Sequence, residues 1–175
     1  GNHTDHQLGR ILASAVDRGL YAQCRKIGSP SIIIESEGFA PFEVKLSQLN
    51  VRTTEFGSPM ALARGMAAEF KDLGLSIGGF EAKVRSTLPA GSGLSSSAAF
   101  AVLIGRILNK LYNNDSVDPV VIARAAQRAE NRFFGKPCGL MDQMACSLGH
   151  AVYVDFLTNE IEPICADFGT MGLTL

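Results

Sequence analysis

Phe80-Glu81-Ala82-Lys83-Val84-Arg85 runs through Ser86-Thr87 into Leu88-Pro89-Ala90-Gly91-Ser92-Gly93-Leu94-Ser95-Ser96-Ser97-Ala98. The first six residues alternate apolar and charged, the two-residue period of a half-buried strand. Residues 98–105 are apolar or glycine throughout, which predicts a helix buried on nearly all sides. A strand, a glycine-rich turn and a buried helix form an anion cradle. Gly91 and Gly93 allow positive φ and close approach of the backbone to a ligand. Ser95, Ser96 and Ser97 are expected in the first helical turn, where N–H groups lack intrahelical partners and the helix dipole is positive. Their hydroxyls add donors, and one of them is a candidate magnesium ligand. No Gly-Lys-Ser/Thr follows, so the loop is not a Walker A motif. The plain alternative is a serine N-cap after a tight turn, but three consecutive serines opening an apolar helix favour phosphate binding.

Working outward, residues 10–25 and 30–36 carry strand-like material, separated by Gly28-Ser29-Pro30, and Phe42, Val44 and Leu46 alternate with polar residues. Ser58-Pro59 reads as an N-cap followed by proline at the first helical position. Met60, Ala63, Ala67, Phe70 and Leu73 then form one stripe, with Gly74 as the stop. Asp118-Pro119 opens a further helix by the same device, reaching about Phe134 with Gly135 beyond it. Residues 140–148 predict a short helix, and 151–156 with 161–165 a hairpin around Thr158-Asn159. The sum is an α+β domain with strands early and helices in the middle.

Composition limits the functions available. The 175 residues carry 16 Lys plus Arg against 17 Asp plus Glu, a formal charge of −1 without a basic run, which argues against a nucleic-acid partner. At 46% apolar and 19% charged the chain can build one sizeable core. No apolar stretch reaches the roughly 18 residues of a spanning helix, so no membrane partner is expected. Cys24, Cys138, Cys146 and Cys165 contain no Cys-x-x-Cys pair, consistent with a reduced, cytoplasmic protein. The chain opens at Gly1 without Met or a secretory pattern and stops in Leu173-Thr174-Leu175, which reads as a strand just starting. Both ends are therefore expected to be cut from a longer protein.

Two acids stand out downstream. Glu130 lies on the apolar stripe of the helix begun at Pro119, four residues after Ala126 and three before Phe133. A carboxylate there needs a partner: either magnesium, or a cation such as Arg128, Arg132 or one from a distant element. Asp142 follows the turn Lys136-Pro137-Cys138-Gly139-Leu140-Met141. It reads either as an acid favouring a helix dipole or as a base or orienting group for a hydroxyl nucleophile. The opening run Asn2, His3, Thr4, Asp5, His6 and Gln7 suits a sugar with many hydroxyls, or equally a solvated loop. His3 and His6 have no third ligand nearby, which argues against a metal site.

Residues 89–98 resemble the nucleotide-phosphate motif of the kinases named for galacto-, homoserine, mevalonate and phosphomevalonate kinases, the GHMP family. Gly1-Asn2-His3-Thr4-Asp5 resembles the sugar signature of its galactokinase branch. Glu130 with Phe134-Gly135-Lys136-Pro137-Cys138-Gly139-Leu140-Met141-Asp142-Gln143 resembles that branch's catalytic segment. The resemblance implies the family's N-terminal domain over residues 1–172, of ribosomal protein S5 domain 2-like fold, a mixed sheet backed by helices. Residues 173–175 would begin a ferredoxin-like C-terminal domain that is otherwise absent. It further implies ATP and galactose as substrates, Mg2+ as cofactor and phosphoryl transfer to the C1 hydroxyl. Pro89, Gly91, Ser92, Gly93, Leu94, Ser95, Ser96 and Ser97 would wrap the ATP phosphates. Ser97 and Glu130 would hold magnesium, with the choice among the three serines open. Asp142 would be catalytic, and Asn2, His3, Asp5, Gly139 and Asp142 would face the sugar.

Three departures qualify the resemblance. Asn2 stands where the family usually has Glu, so one sugar contact loses its charge. An arginine expected just upstream lies outside the chain, and so does the C-terminal domain with its third glycine-rich motif and a sugar-contacting tyrosine. The 175 residues alone are therefore expected to be inactive. Two alternatives stay open: a galactose- and ATP-binding sensor without catalysis, and a GHMP kinase for another substrate such as N-acetylgalactosamine or mevalonate. Sensors of this kind typically lose a Ser-Ala pair from the phosphate loop, whereas Ser97-Ala98 and Asp142 are present, which favours the enzyme.

Overall fold

The strand before the glycine–serine loop is the centre of the main sheet. In the computed structural model, which describes residues 7–88, 93–158 and 160–164, β1 (Arg10–Ala13), β2 (Leu20–Lys26), β3 (Ser31–Ser36) and β4 (Phe42–Lys45) precede α1 (Pro59–Asp72) and β5 (Phe80–Ser86). β5 pairs antiparallel with β2 and parallel with β3, and β3 pairs antiparallel with β4, giving the order β2-β5-β3-β4. Ile32, Ile34, Val44, Phe80, Ala82 and Val84 face the core, while Lys83 and Arg85 alternate outward. The 10–25 stretch is not one strand. It breaks at 14–19, and its two halves join different sheets.

Helices cover the inner face. α1 begins as its sequence predicts: Ser58 Oγ accepts from the Ala61 N–H at 3.2 Å, a cap worth about 1 kcal/mol, and Gly74 follows with φ +73°. α2 (Ser96–Tyr112) buries most of residues 98–108. α3 (Pro119–Ala129) is capped by Asp118, whose Oδ1 accepts from the Val120 N–H at 2.7 Å. It continues as a π-helical turn, Glu130–Phe134, closed by Gly135 at φ +76°. α4 (Met141–Leu148), β6 (Ala151–Asp155) and β7 (Glu160–Ile164) complete the described chain. β6 lies between β1 and β7, antiparallel to both, so the expected hairpin forms, with Asn159 outside the described residues. Ile11, Ala123, Leu140, Met144, Val152, Val154 and Phe156 form a second core beneath this sheet. The domain edge expected at 172/173 also lies outside the described residues.

Two glycines set the spacing of the helix layer. A Cβ on Gly65 of α1 would stand 2.8 Å from Ala129 Cβ of α3, and one on Gly105 of α2 would stand 2.7 Å from Ile122 and from Met66. Such contacts leave no room for a larger residue. The residue just before Gly65, Arg64, 2% exposed, makes a two-pronged ion pair with Glu55 at 2.7 Å on each arm. It also donates to the Gln48 carbonyl, fixing the 46–58 loop on the helix. Gly65→Val is expected to destabilise the protein by about 1–3 kcal/mol through overpacking. The readout is a lower urea midpoint at unchanged slope; an unchanged midpoint would contradict the close approach of α1 and α3.

Candidate active site

The chain enters α2 through two left-handed residues, Gly93 (φ +69°) and Ser95 (φ +51°). Ser95 is not in the first helical turn as expected but is the N-cap, and Ser96 begins the helix. Its side chain does not cap the helix. Instead Ser95 Oγ donates to Asp142 Oδ2 at 2.6 Å. A left-handed non-glycine residue costs roughly 1–2 kcal/mol, which a hydrogen bond to a carboxylate, worth about 1.5–3 kcal/mol, offsets. Ser96 is exposed and Ser97 half-buried in the opening turn. Pro89, Gly91 and Ser92 lie outside the described residues, as do Asn2, His3 and Asp5.

Asp142 is the second residue of α4, so it does sit in a first turn, where an acid favours the dipole. The turn before it is pinned from α3 and the π turn. The Cys138 N–H donates to Asn131 Oδ1 at 2.7 Å, and the Cys138 carbonyl accepts from Gln127 Nε2 at 3.3 Å and Asn131 Nδ2 at 3.4 Å. Gly139 follows directly and Leu140 is buried in the second core. The pinning holds Asp142 beside a chain segment 47 residues upstream. Both face an open cleft of about 600 Å³ whose lining includes Arg18, Gly93, Leu94, Ser95, Arg106 and Asp142.

Glu130 is 1% exposed and starts the π turn, whose carbonyl at Glu130 accepts from both the Gly135 and Lys136 N–H groups. The nearby arginines are not its partners. Arg128 and Arg132 turn to Glu69 of α1, at 2.6 and 2.7 Å. The Glu130 carboxylate instead accepts through Oε2 from Gln143 Nε2 and, at 3.8 Å, from the Cys138 thiol. Lys136 Nζ forms an ion pair with Oε1 at 3.8 Å, and that buried oxygen has no hydrogen-bond partner among the described residues. Burial, and then the Glu130 charge, pushes the Cys138 thiol up to about 11, and burial followed by Asp142 does the same to Cys146. Both therefore stay protonated at neutral pH and are poor nucleophiles.

Sequence reasoning missed two residues of this arrangement. Asn131, which clamps the turn, carries no signal in a helical context. Gln143 had one: it follows Asp142 on a helix, so the two side chains point about 100° apart, one toward the cleft and the other inward. The donor set fits a divalent cation, because a buried carboxylate oxygen has no hydrogen-bond partner among the described residues, only a long ion pair with Lys136, and a serine hydroxyl opens the neighbouring helix. Among the described residues no group of three His, Cys, Asp or Glu forms a metal cage. Magnesium does not need one, since it takes one or two protein oxygens and fills its shell with water and substrate phosphates.

Residues 61–150 match the GHMP kinases N terminal domain. The chain is 38% identical over 160 residues to the galactokinase of Pyrococcus furiosus, covering 91% of this chain and 44% of that protein. It is 29% identical to the galactokinase of Clostridium tetani, over 100% of this chain and 45% of that one. The solved structure of Lactococcus lactis galactokinase complexed with galactose superposes with a TM-score of 0.86 at 27% identity, over 96% of this chain and 44% of that chain. The chain thus spans somewhat less than half the length of the relatives it matches. Among the described residues no helix is long and apolar enough to cross a membrane. The α+β fold, the serine-opened helix facing Asp142 and the family match over the central 90 residues agree: the chain belongs to the GHMP kinase family, whose N-terminal domain it carries.

Proposed function

We propose that the protein phosphorylates D-galactose at the C1 hydroxyl with ATP, giving galactose 1-phosphate and ADP in the cytoplasm. The observation that carries this reading is the Ser95–Asp142 contact in the cleft, which sets the acid against the loop that takes phosphates. The galactokinase relatives supply the sugar.

In this reading Pro89 and the segment Gly91 to Ser97 wrap the ATP phosphates at the N-terminus of α2, the latter through its backbone N–H groups and serine hydroxyls. Asn2, His3, Asp5 and Gly139 hold the sugar so that its C1 oxygen faces the γ-phosphorus. That oxygen attacks, the bond to the ADP oxygen breaks, and the hydroxyl proton passes to Asp142. Phosphoryl transfer through a loose transition state asks mainly for positioning and charge stabilisation. Asp142 therefore orients the hydroxyl first and takes its proton late. Ser97 and Glu130 would hold magnesium, which when bound offsets the negative charge of the phosphates. Ser95 must release Asp142 or share it when the sugar arrives.

Asp142→Asn in the full-length protein is expected to lower kcat about a hundredfold or more, with galactose affinity within a few-fold. The amide keeps size and a hydrogen bond but loses the base. Near wild-type turnover would reduce Asp142 to a helix-capping acid. Ser97→Ala is expected to weaken magnesium-nucleotide binding about tenfold or more and leave galactose binding unchanged in calorimetry; equal loss of both would remove Ser97 from the nucleotide site. Running the wild-type titration with N-acetylgalactosamine beside galactose tests the sugar, since Asn2 changes one contact. Tight galactose binding without ADP release would assign a sensor instead.

A further inference from the structure

We propose that Gln143 is the positioning residue of the metal site: its buried amide holds Glu130 by Oε2, so that Oε1 is the oxygen presented to the cation. The inference rests on the reading of Glu130 as a magnesium ligand. Glu130 and Gln143 are each 1% exposed. A buried carboxylate normally requires a cation or several donors. The arginines on its own helical segment are committed to Glu69, and Lys136 is half-exposed and beyond hydrogen-bond range of Oε1. The two short-range donors, Gln143 Nε2 and the Cys138 thiol, both converge on Oε2. The carboxylate is thus hydrogen-bonded on one oxygen, while the other has only the long ion pair with Lys136 among the described residues.

Gln143 is itself half-used. Its amide donates to Glu130 and, at 3.4 Å, to Cys138 Sγ, while its buried carbonyl Oε1 has no hydrogen-bond partner among the described residues. A purely structural tie between α4 and the π turn leaves that second orphan unexplained, although leaving a buried acceptor unsatisfied is costly. The reverse amide orientation would set carbonyl against carboxylate, so the donor must face Glu130. Two leftover acceptors on adjoining side chains call for something that brings positive charge and donors. A hydrated divalent cation brings both, because magnesium keeps several of its waters.

The test uses the full-length protein, saturated with a non-hydrolysable ATP analogue, and free Mn2+ followed by electron paramagnetic resonance. Gln143→Met, which matches the length without hydrogen-bonding groups, is expected to weaken Mn2+ binding about 10–100-fold. Galactose affinity should stay within twofold. In turnover the half-saturating Mg2+ concentration should rise by a similar factor, with most of kcat regained at saturating Mg2+. Gln143→Asn, one methylene shorter but still an amide, is expected to fall between wild type and Gln143→Met, and is read in the same way if the methionine variant does not fold. Unchanged Mn2+ affinity, or a loss of kcat that metal does not restore, overturns the inference. Glu130→Gln separates the two layers. If it abolishes Mn2+ binding while the Gln143 variants do not affect it, only the role of Gln143 fails; if it leaves Mn2+ binding intact, the reading of Glu130 fails and this inference with it.

Discussion

The distance between α1 and α3 is the constraint from which the rest of the site follows. Gly65 and Ala129 meet with no side chain between them beyond one methyl group, so the two helices can neither close further nor admit a larger residue without moving apart. Glu130 is the next residue after that contact. Its place in the interior is therefore inherited from a packing contact between small residues, and so is its separation from solvent. Glu69 on α1 meets Arg128 and Arg132 across the same interface, which locks the two helices in rotation as well as distance. With the neighbouring guanidinium groups drawn off to Glu69, Glu130 is left to the amide and thiol of the following segment and a long ion pair with Lys136.

The change from α to π winding at Glu130 matters for the same reason. A π turn inserts one extra residue before the helix ends, and Gly135 then reverses the chain. Asn131, inside the turn, reaches forward to both backbone groups of Cys138. The loop that carries Gly139 to Asp142 is thereby fixed to the element that carries Glu130, without relying on loop packing. Chemistry that depends on positioning demands that its groups be held within about half an ångström by such supporting contacts.

Much of this was legible in the sequence, and the division between what was and was not is physical. Local signals worked: Ser58-Pro59 and Asp118-Pro119 start helices where their caps form, and the alternation at 80–86 is the central strand. The pairing of Asp142 with the serine loop was expected as a shared site, though not as a direct bond from Ser95. Long-range competition was not legible. Nothing near Glu130 reveals that a glutamate 59 residues before Arg128 captures that arginine, because ion-pair choice is settled by tertiary distance. The break between β1 and β2 was also hidden, since strand propensity does not say which sheet a strand joins. The π turn has no sequence signature of its own, since one extra backbone residue changes no side-chain period that a short window can detect.

Adjacent residues on one short helix then tie the two ends of the site together. Asp142 and Gln143 are consecutive, and the helical turn of about 100° per residue sends one side chain to the cleft and the other to the interior. Asp142 meets Ser95, the N-cap of α2, at a helix end whose dipole is positive. Gln143 meets Glu130, the carboxylate with an open oxygen. A shift of α4 along its axis would disturb both contacts at once, and a rotation would trade one for the other. Met144 of α4 and Leu140 just before it, both buried in the second core, oppose either movement. By seating α4, the three-stranded sheet beneath it holds Asp142 against Ser95 and Gln143 against Glu130 in one fixed relation, although all four residues lie outside its strands.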